Sequence, residues 1–216
     1  MRYKAVIFDL DGTLLNTLED LADSVNYVLE KHKFPKRTIN EVRRFVGNGI
    51  YKLVERALPD GADEETVNIC FEEFSAYYKS NMMNKTKMYD GIDELLTELN
   101  KANVKLAVVT NKADFAAQGL CKSLFGNRID VVVGSNGIRE NKPAPDNVLF
   151  ALEKLDVSKE DAVYIGDSEV DAQTAINSNL DFIAVLWGFR DISDFKGFEL
   201  MYTANNVARL KKYLFT

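Results

Sequence analysis

An α/β fold built on a parallel sheet, interrupted once by an all-helical stretch, follows from three features of this sequence. Short β-branched and aromatic runs recur at residues 3–8, 104–109, 129–133, 162–165 and 182–186, each bounded by turn residues. From residue 89 onward these runs alternate with helical patterns, which implies right-handed crossovers and parallel pairing. Between 17 and about 84, by contrast, apolar residues repeat only at three- and four-residue spacing, so that region is expected to be helix throughout. A chain of 216 residues can hold one core carrying a smaller insertion. The expected division is an α/β core over 1–15 and 86–216, with a helical-bundle cap over 16–85.

The first strand, Tyr3 to Phe8, has the composition of a strand buried on both faces. It ends in Asp9-Leu10-Asp11-Gly12-Thr13. Two carboxylates at the end of a buried strand are costly unless positive charge lies between them. A lone Asp-Gly would ordinarily close a hairpin, but no alternating second strand follows. Asn16 with Glu19 reads as a helix start, and Leu18, Leu21, Ala22, Val25 and Leu29 carry that helix to about Lys31. Phe34-Pro35 breaks it. Thr38 and Glu41 form a second capping box before Val42, Phe45 and Val46. Gly47-Asn48-Gly49 interrupts, Ile50 to Leu58 forms another short helix, and a longer one runs from about Asp63 to Met83.

After Asp90-Gly91, a helix with Ile92, Leu95, Leu96 and Leu99 precedes the strand that ends at Thr110-Asn111-Lys112. Residues 113–124 are helical, and the next strand ends at Gly134-Ser135. Pro145 sits in the first turn of a helix running to about Leu155, where its missing N–H costs nothing. The fourth strand ends at Gly166-Asp167-Ser168, and its helix runs to Leu180. The fifth ends at Trp187-Gly188, and Val207, Leu210 and Leu214 mark a last helix. In open parallel sheets ligands bind at the carboxyl ends of the strands, and the polar clusters of this chain fall there. The helical stretch is joined by linkers near 14–17 and 84–88, the connectivity of a lid over those strand ends.

Composition narrows the chemistry. A net charge of -6 without a basic cluster argues against nucleic acid and anionic membrane as partners. No apolar run approaches the ~20 residues of a membrane span, and Met1-Arg2-Tyr3-Lys4 leads into a strand without a signal-peptide pattern. A cytoplasmic protein is expected. Cys70 and Cys121 are far apart and read as reduced, buried thiols. The sole histidine, His32, sits at the polar end of a helix, so cysteine–histidine and serine–histidine catalysis are not expected.

Carboxylates at adjacent strand ends, without histidine or cysteine, suit a hard cation such as Mg²⁺. A lysine beside them can neutralise a phosphoryl oxygen and a carboxylate at once, while a threonine hydroxyl and backbone N–H groups hold further phosphoryl oxygens. An aspartate so placed can attack phosphorus to form an aspartyl-phosphate. A carboxylate two residues on is suited to proton transfer. Phosphoryl transfer depends mainly on such positioning and charge neutralisation.

Four motifs stand in order: Asp9-Leu10-Asp11-Gly12-Thr13, Val109-Thr110-Asn111, Lys142-Pro143-Ala144-Pro145-Asp146 and Gly166-Asp167-Ser168-Glu169-Val170-Asp171. Together they resemble the haloacid dehalogenase superfamily of phosphatases, and within it the phosphoglycolate phosphatases, over essentially the whole chain. The resemblance implies a Rossmann-like core with helices on both faces and an inserted helical cap that sets substrate specificity. It implies Asp9 as nucleophile, Asp11 as general acid and then base, and Lys142 as the cation holding Asp9 and the phosphate. Thr110 and the Asn111 backbone would bind the phosphoryl group. Mg²⁺ would be ligated by the Asp9 carboxylate, the Asp11 carbonyl and Asp167, with Asp171 supporting the site directly or through water.

Residues 43–53 are similar to the cap segment of phosphoglycolate phosphatases, and Asn48, with Arg43 or Lys52, is expected to contact the leaving group. An acid at position 11 favours phosphate-ester hydrolysis over dehalogenation. The expected substrate is a small phosphorylated metabolite, 2-phosphoglycolate first, for a monomer or homodimer. A sugar phosphomutase of the β-phosphoglucomutase kind and a pyrophosphatase are the alternatives, and a non-catalytic binding module is the remote one. Those mutases carry a histidine on the first cap helix, whereas His32 lies at its far end. Glu169 adds an acid beside the metal site to which no role is assigned.

Overall fold

The computed structural model describes residues 2–200 and 202–216. In chain order, β1 (Ala5–Phe8) and β2 (Leu15–Asn16) are followed by α1 (Leu18–Lys31), α2 (Ile39–Phe45), α3 (Ile50–Ala57) and α4 (Glu64–Asn81). Next come β3 (Lys87–Met88), α5 (Ile92–Lys101), β4 (Lys105–Ala113), α6 (Asp114–Phe125), β5 (Val131–Ser135) and α7 (Asp146–Leu155). The chain closes with β6 (Ala162–Gly166), α8 (Glu169–Ser178), β7 (Asp181–Val185), β8 (Tyr202–Ala204) and α9 (Val207–Phe215).

All four side chains of β1 are buried because the strand lies inside a parallel sheet covered on both faces. Val6 and Phe8 point into one apolar layer with Leu95, Leu120 and Leu210 of α5, α6 and α9. Ala5 and Ile7 point into the other, with Val148 and Leu152 of α7 and Ala175 of α8. The sheet order is β5-β4-β1-β6-β7-β8, with every neighbouring pair parallel. It therefore grows outward from β1 in both directions, and the carboxyl end of β1 opens into the crevice where such sheets bind ligands. Asp9 and Asp11 follow that end directly.

Helices α1–α4 form a cap-like region with its own core, in which Leu21, Val25, Leu53, Cys70 and Phe74 are buried. The linkers that lead into and out of it pair with each other, Leu15 with Met88 and Asn16 with Lys87, as a short antiparallel ribbon. Asp20 strengthens this junction by accepting from the backbone N–H groups of Lys85 and Thr86. The Thr38–Glu41 capping box forms as the sequence predicts. Both cysteines are free and buried. Among the described residues no helix is long and apolar enough to cross a membrane.

The structure differs from the sequence expectations in several local respects. A sixth strand, β8, adds to the sheet beside β7; it is three residues long, too short for periodicity to register. The first cap helix starts at Leu18 with Thr17, not Asn16, at its N-cap. Asn16 instead accepts from the Leu18 N–H, while Thr17 makes no side-chain cap and its hydroxyl donates to Asp11 Oδ1 at 2.7 Å. His32 is not simply solvated: its Nε2 lies 2.8 Å from Glu73 Oε2.

Candidate active site

The carboxyl ends of β1, β4 and β6 and the loop before α7 bring Asp9, Asp11, Thr110, Asn111, Lys142 and Asp167 around one cavity. Lys142 is 5 % exposed. Its Nζ lies 2.8 Å from Asp9 Oδ1 and 2.7 Å from Asp171 Oδ1. Asn111 fixes the lysine's backbone, since its Oδ1 accepts from Lys142 N at 2.8 Å and its Nδ2 donates to Lys142 O at 3.0 Å. The same Nδ2 reaches Gly47 O in the cap-like region at 3.2 Å. Thr110 is buried, and its hydroxyl accepts from the Lys112 N–H.

Asp167 accepts from the Thr13 hydroxyl at 3.1 Å and from the Phe189 N–H at 2.7 Å. Two glycines leave room for it. A Cβ on Gly12, which holds φ +87, would lie 2.3 Å from Asp167 Oδ2, and one on Gly188 would lie 2.4 Å from that atom. Asp171 is fully buried. Its Oδ2 accepts from Ser168 N and Oγ, completing a capping box at the start of α8, while its Oδ1 faces Lys142. Both of its oxygens are thus engaged within the protein.

Three buried carboxylates, Asp9, Asp167 and Asp171, present ligand atoms within 4.8 Å of one another. One ammonium, Lys142, stands against them, so two negative charges are left over. Burial pushes the Asp9 carboxyl up to about 7; Lys142 opposes the rise and Asp171 adds to it. An isolated ion pair would lower this group, but burial outweighs the single lysine, and the neighbouring carboxylates add to the rise. Burial, then Asp171 and Asp9, raise Asp167 well above the ordinary range as well. For Lys142, burial acts to lower the ammonium, but Asp171 and Asp9 win and hold it protonated.

A divalent cation fits this imbalance. The donors are all oxygens, the excess charge is two, and Asp9 Oδ1 is buried without a directed hydrogen bond. Lys142 sits at ion-pair distance from that oxygen but off hydrogen-bond geometry. Asp9 and Asp167 are the residues that would hold the ion.

Asp11 has a separate partner. Lys112 Nζ lies 3.0 Å from each of its oxygens. Sequence reasoning gave Lys112 no role, although it directly follows Thr110 and Asn111 at the same strand end. Arg190 was also missed. It lines the cavity, donates to the carbonyls of Arg43 and Val46 near the end of α2, and pairs with Glu169 at 3.1 Å. Glu169 thus has a partner: it balances Arg190. Of the aromatic pair after β7, Phe189 lines the cavity, whereas Trp187 packs into the core and donates to Thr13 O.

The three cap-side residues expected at the leaving group do not line the cavity and are engaged elsewhere. Asn48 accepts from Arg56 at 2.8 Å, Arg43 pairs with Asp191 at 3.0 Å, and Lys52 pairs with Glu55 at 2.6 Å. The cap-like region instead lines the cavity with Leu21, Val46, Gly47, Gly49, Ile50 and Leu53.

Residues 6–185 match the family model of haloacid dehalogenase-like hydrolases. The chain is 32% identical over 194 residues to the phosphoglycolate phosphatase of Xanthomonas campestris pv. campestris, covering 88% of this chain and 86% of that protein. A solved structure from Lactobacillus delbrueckii subsp. bulgaricus, provisionally named a phosphoglycolate phosphatase, superimposes with a TM-score of 0.93 at 34% identity and 99% coverage of both chains. A structure from Clostridium acetobutylicum, provisionally named a phosphatase, gives 0.88 at 30% identity, covering 100% of this chain and 99% of that one.

Proposed function

Because the chain belongs to the haloacid dehalogenase-like hydrolase family and is one of its phosphatases, we propose that it hydrolyses a small phosphate monoester through an aspartyl-phosphate on Asp9. The observation that carries this reading is Lys142 held between Asp9 and Asp171 at the end of the central strand. An ammonium there keeps one nucleophilic oxygen oriented and has charge to offer a phosphoryl oxygen. Thr110 and the Asn111 backbone would take further phosphoryl oxygens.

In this reading Asp9 attacks phosphorus and Asp11 gives a proton to the departing oxygen. Asp11 then takes a proton from the water that cleaves the aspartyl-phosphate. Mg²⁺, held by Asp9, Asp167 and the Asp11 carbonyl, would neutralise charge on the transferring group. Asp171 supports the site by fixing Lys142. Residues 16–85 act as the cap that excludes water and selects the leaving group.

The best substrate is 2-phosphoglycolate. Relatives that cover most of the chain carry that activity in their names. Beyond the strand-end residues, Lys142 and Ser168, the cavity is lined by apolar residues, two glycines and Arg190, which has guanidinium N–H groups left for a carboxylate after its three protein contacts. A mutase reading is less well supported, since His32 is paired with Glu73 and does not line the cavity. The test is a panel of 2-phosphoglycolate, inorganic pyrophosphate, β-glucose 1-phosphate and 4-nitrophenyl phosphate assayed with Mg²⁺, with Asp9→Asn as control. Highest kcat/KM for 2-phosphoglycolate, lost in the control, is expected. Preference for pyrophosphate, or conversion of the sugar phosphate to an isomer, would replace the substrate assignment.

A further inference from the structure

Among the described residues three cations line the cavity, and each faces an acid. Lys142 faces Asp9 and Asp171, Lys112 faces Asp11, and Arg190 pairs with Glu169. The third pair differs in where its acid stands. Asp9 and Asp11 line the cavity and Asp171 is fully buried, whereas Glu169 does not line the cavity. It opens α8 on the far side of Arg190, in a groove shared with Asn40, Arg44 and Asp194, and its side chain is 39 % exposed. Arg190 borders both spaces, with a side chain only 11 % exposed. Its guanidinium is held at every nitrogen: Nε donates to Glu169 Oε2 at 3.1 Å, Nη1 to Arg43 O at 2.9 Å and Nη2 to Val46 O at 2.7 Å. Each terminal nitrogen still has an N–H to give. Gly47 leaves room for the group, since a Cβ there would lie 3.3 Å from Nη2. The Gly47 carbonyl accepts from Asn111 at 3.2 Å, so this glycine links the guanidinium to the strand end where a phosphoryl group would sit. Neighbouring Arg43 is matched by Asp191 at 3.0 Å, which leaves Glu169 as the acid set against Arg190.

We propose that Glu169 is a specificity-determining residue that acts through Arg190. Its carboxylate offsets the guanidinium charge, so that the site accepts a phosphate ester carrying one further negative charge and discriminates against an ester carrying two. This rests on the reading of Arg190 as the contact for the leaving group's carboxylate. Attraction to Arg190 and repulsion from Glu169 both grow with the charge of the ligand. With both side chains in place their charges cancel, and what Arg190 offers an anion is short-range hydrogen bonding from its remaining N–H groups. A carboxylate is served by those groups. A second phosphate finds no more of them, yet meets greater repulsion from Glu169. Specificity of this kind comes from a built-in repulsive element as much as from an attractive one. Because Glu169 stands in the groove and not in the cavity, it changes the charge of the site without changing its shape. The alternative is a strut: Glu169 fixes the guanidinium by its hydrogen bond, and its charge is incidental.

Substrate charge separates the two. The esters 2-hydroxyethyl phosphate, 2-phosphoglycolate and ethane-1,2-diyl bisphosphate share one carbon frame and differ in the charge at the far end. Wild type, Glu169→Gln, Glu169→Ala and Arg190→Met are compared by KM and kcat on all of them at constant free Mg²⁺, with thermal unfolding as the check on folding. Glutamine keeps an oxygen that can accept from Arg190 Nε and removes only the charge. Glu169→Gln is expected to lower KM for 2-phosphoglycolate by about 3- to 10-fold and for the bisphosphate by about 10- to 50-fold, with the neutral ester changed least. The gain should shrink as salt is added, because the Glu169 side chain is partly exposed. Glu169→Ala should show the same order among the esters, and it decides the matter where Glu169→Gln does not fold. Equal changes on all the esters, no change, or a higher KM for 2-phosphoglycolate in Glu169→Gln overturns the inference and leaves the strut. Arg190→Met tells this from failure of the underlying reading. If that variant ranks the esters as wild type does, Arg190 is not the leaving-group contact, and the substrate assignment falls together with the inference.

Discussion

Lys142 Nζ lies 2.7 Å from Asp171 Oδ1, a buried pair that turns the start of α8 into the support for the cation facing Asp9. Replacing Lys142 by Met removes the one cation that faces Asp9 and leaves Asp171 Oδ1 without its ammonium. Turnover should be abolished, and stability should fall by about 3–5 kcal/mol, measured by urea unfolding. Lys142→Arg should not restore activity, because the planar guanidinium cannot occupy a site shaped around a compact ammonium. Wild-type stability in Lys142→Met would show that the pair is not the support described.

The carboxylate cluster makes the metal-free protein sensitive to pH in a definite direction. Asp9 is pushed up to about 7 from an ordinary value of 3.8. Between those values the folded chain holds a proton that the unfolded chain has released. Stability from this group is therefore intact below about pH 4 and declines as pH rises through about 7, by on the order of a few kcal/mol. Asp167 shifts the same way. Thermal unfolding with a chelator should show a melting temperature falling across this window, and added Mg²⁺ should stabilise more at pH 8 than at pH 5. A metal-free melting temperature that rises across the window would contradict the electrostatic account.

Gly12 should resist even the smallest enlargement. Its φ of +87 is strained for alanine, and the added Cβ would overlap the Asp167 carboxylate. Gly12→Ala should weaken Mg²⁺ binding by about 10- to 100-fold, the range typical when a ligand's supports are disturbed. Isothermal titration calorimetry reads this without reference to activity. Gly61, at φ +84 but with nothing near its Cβ position, is the control for backbone strain alone.

Arg190 should govern substrate choice more than Asn48, Arg43 or Lys52. Arg190→Met is expected to raise KM for 2-phosphoglycolate by about 10- to 100-fold, the worth of a charge-assisted hydrogen bond, with a smaller change for 4-nitrophenyl phosphate. Asn48→Ala should change neither by more than a few-fold. A larger effect at Asn48 than at Arg190 would return recognition to the glycine-flanked turn.

The core and its strand-end clusters were legible in the sequence because their signals are local. A continuous apolar run marks β1, and Asp9, Thr110 and Asp167 each follow such a run. The Thr38–Glu41 box was legible for the same reason. Lys112 and Arg190 were not, since what defines them is a partner far along the chain: Tyr78 is 34 residues from Lys112, and Val46 is 144 from Arg190. Thr17 shows how a tertiary contact departs from a local rule. Its hydroxyl serves Asp11 instead of capping its own helix. Asp171 reads from sequence as a helix residue that supports a metal, but its burial and its grip on Lys142 emerge only when α8 docks against β6.

The central claim is that Asp9 carries the phosphoryl group, and rapid acid quench with ³²P-labelled substrate tests it most directly. The account predicts a transient label that survives acid, is released by hydroxylamine, and maps to the peptide containing Asp9, with none in Asp9→Asn. Label on another residue, or full turnover by the Asp9→Asn variant, would contradict it.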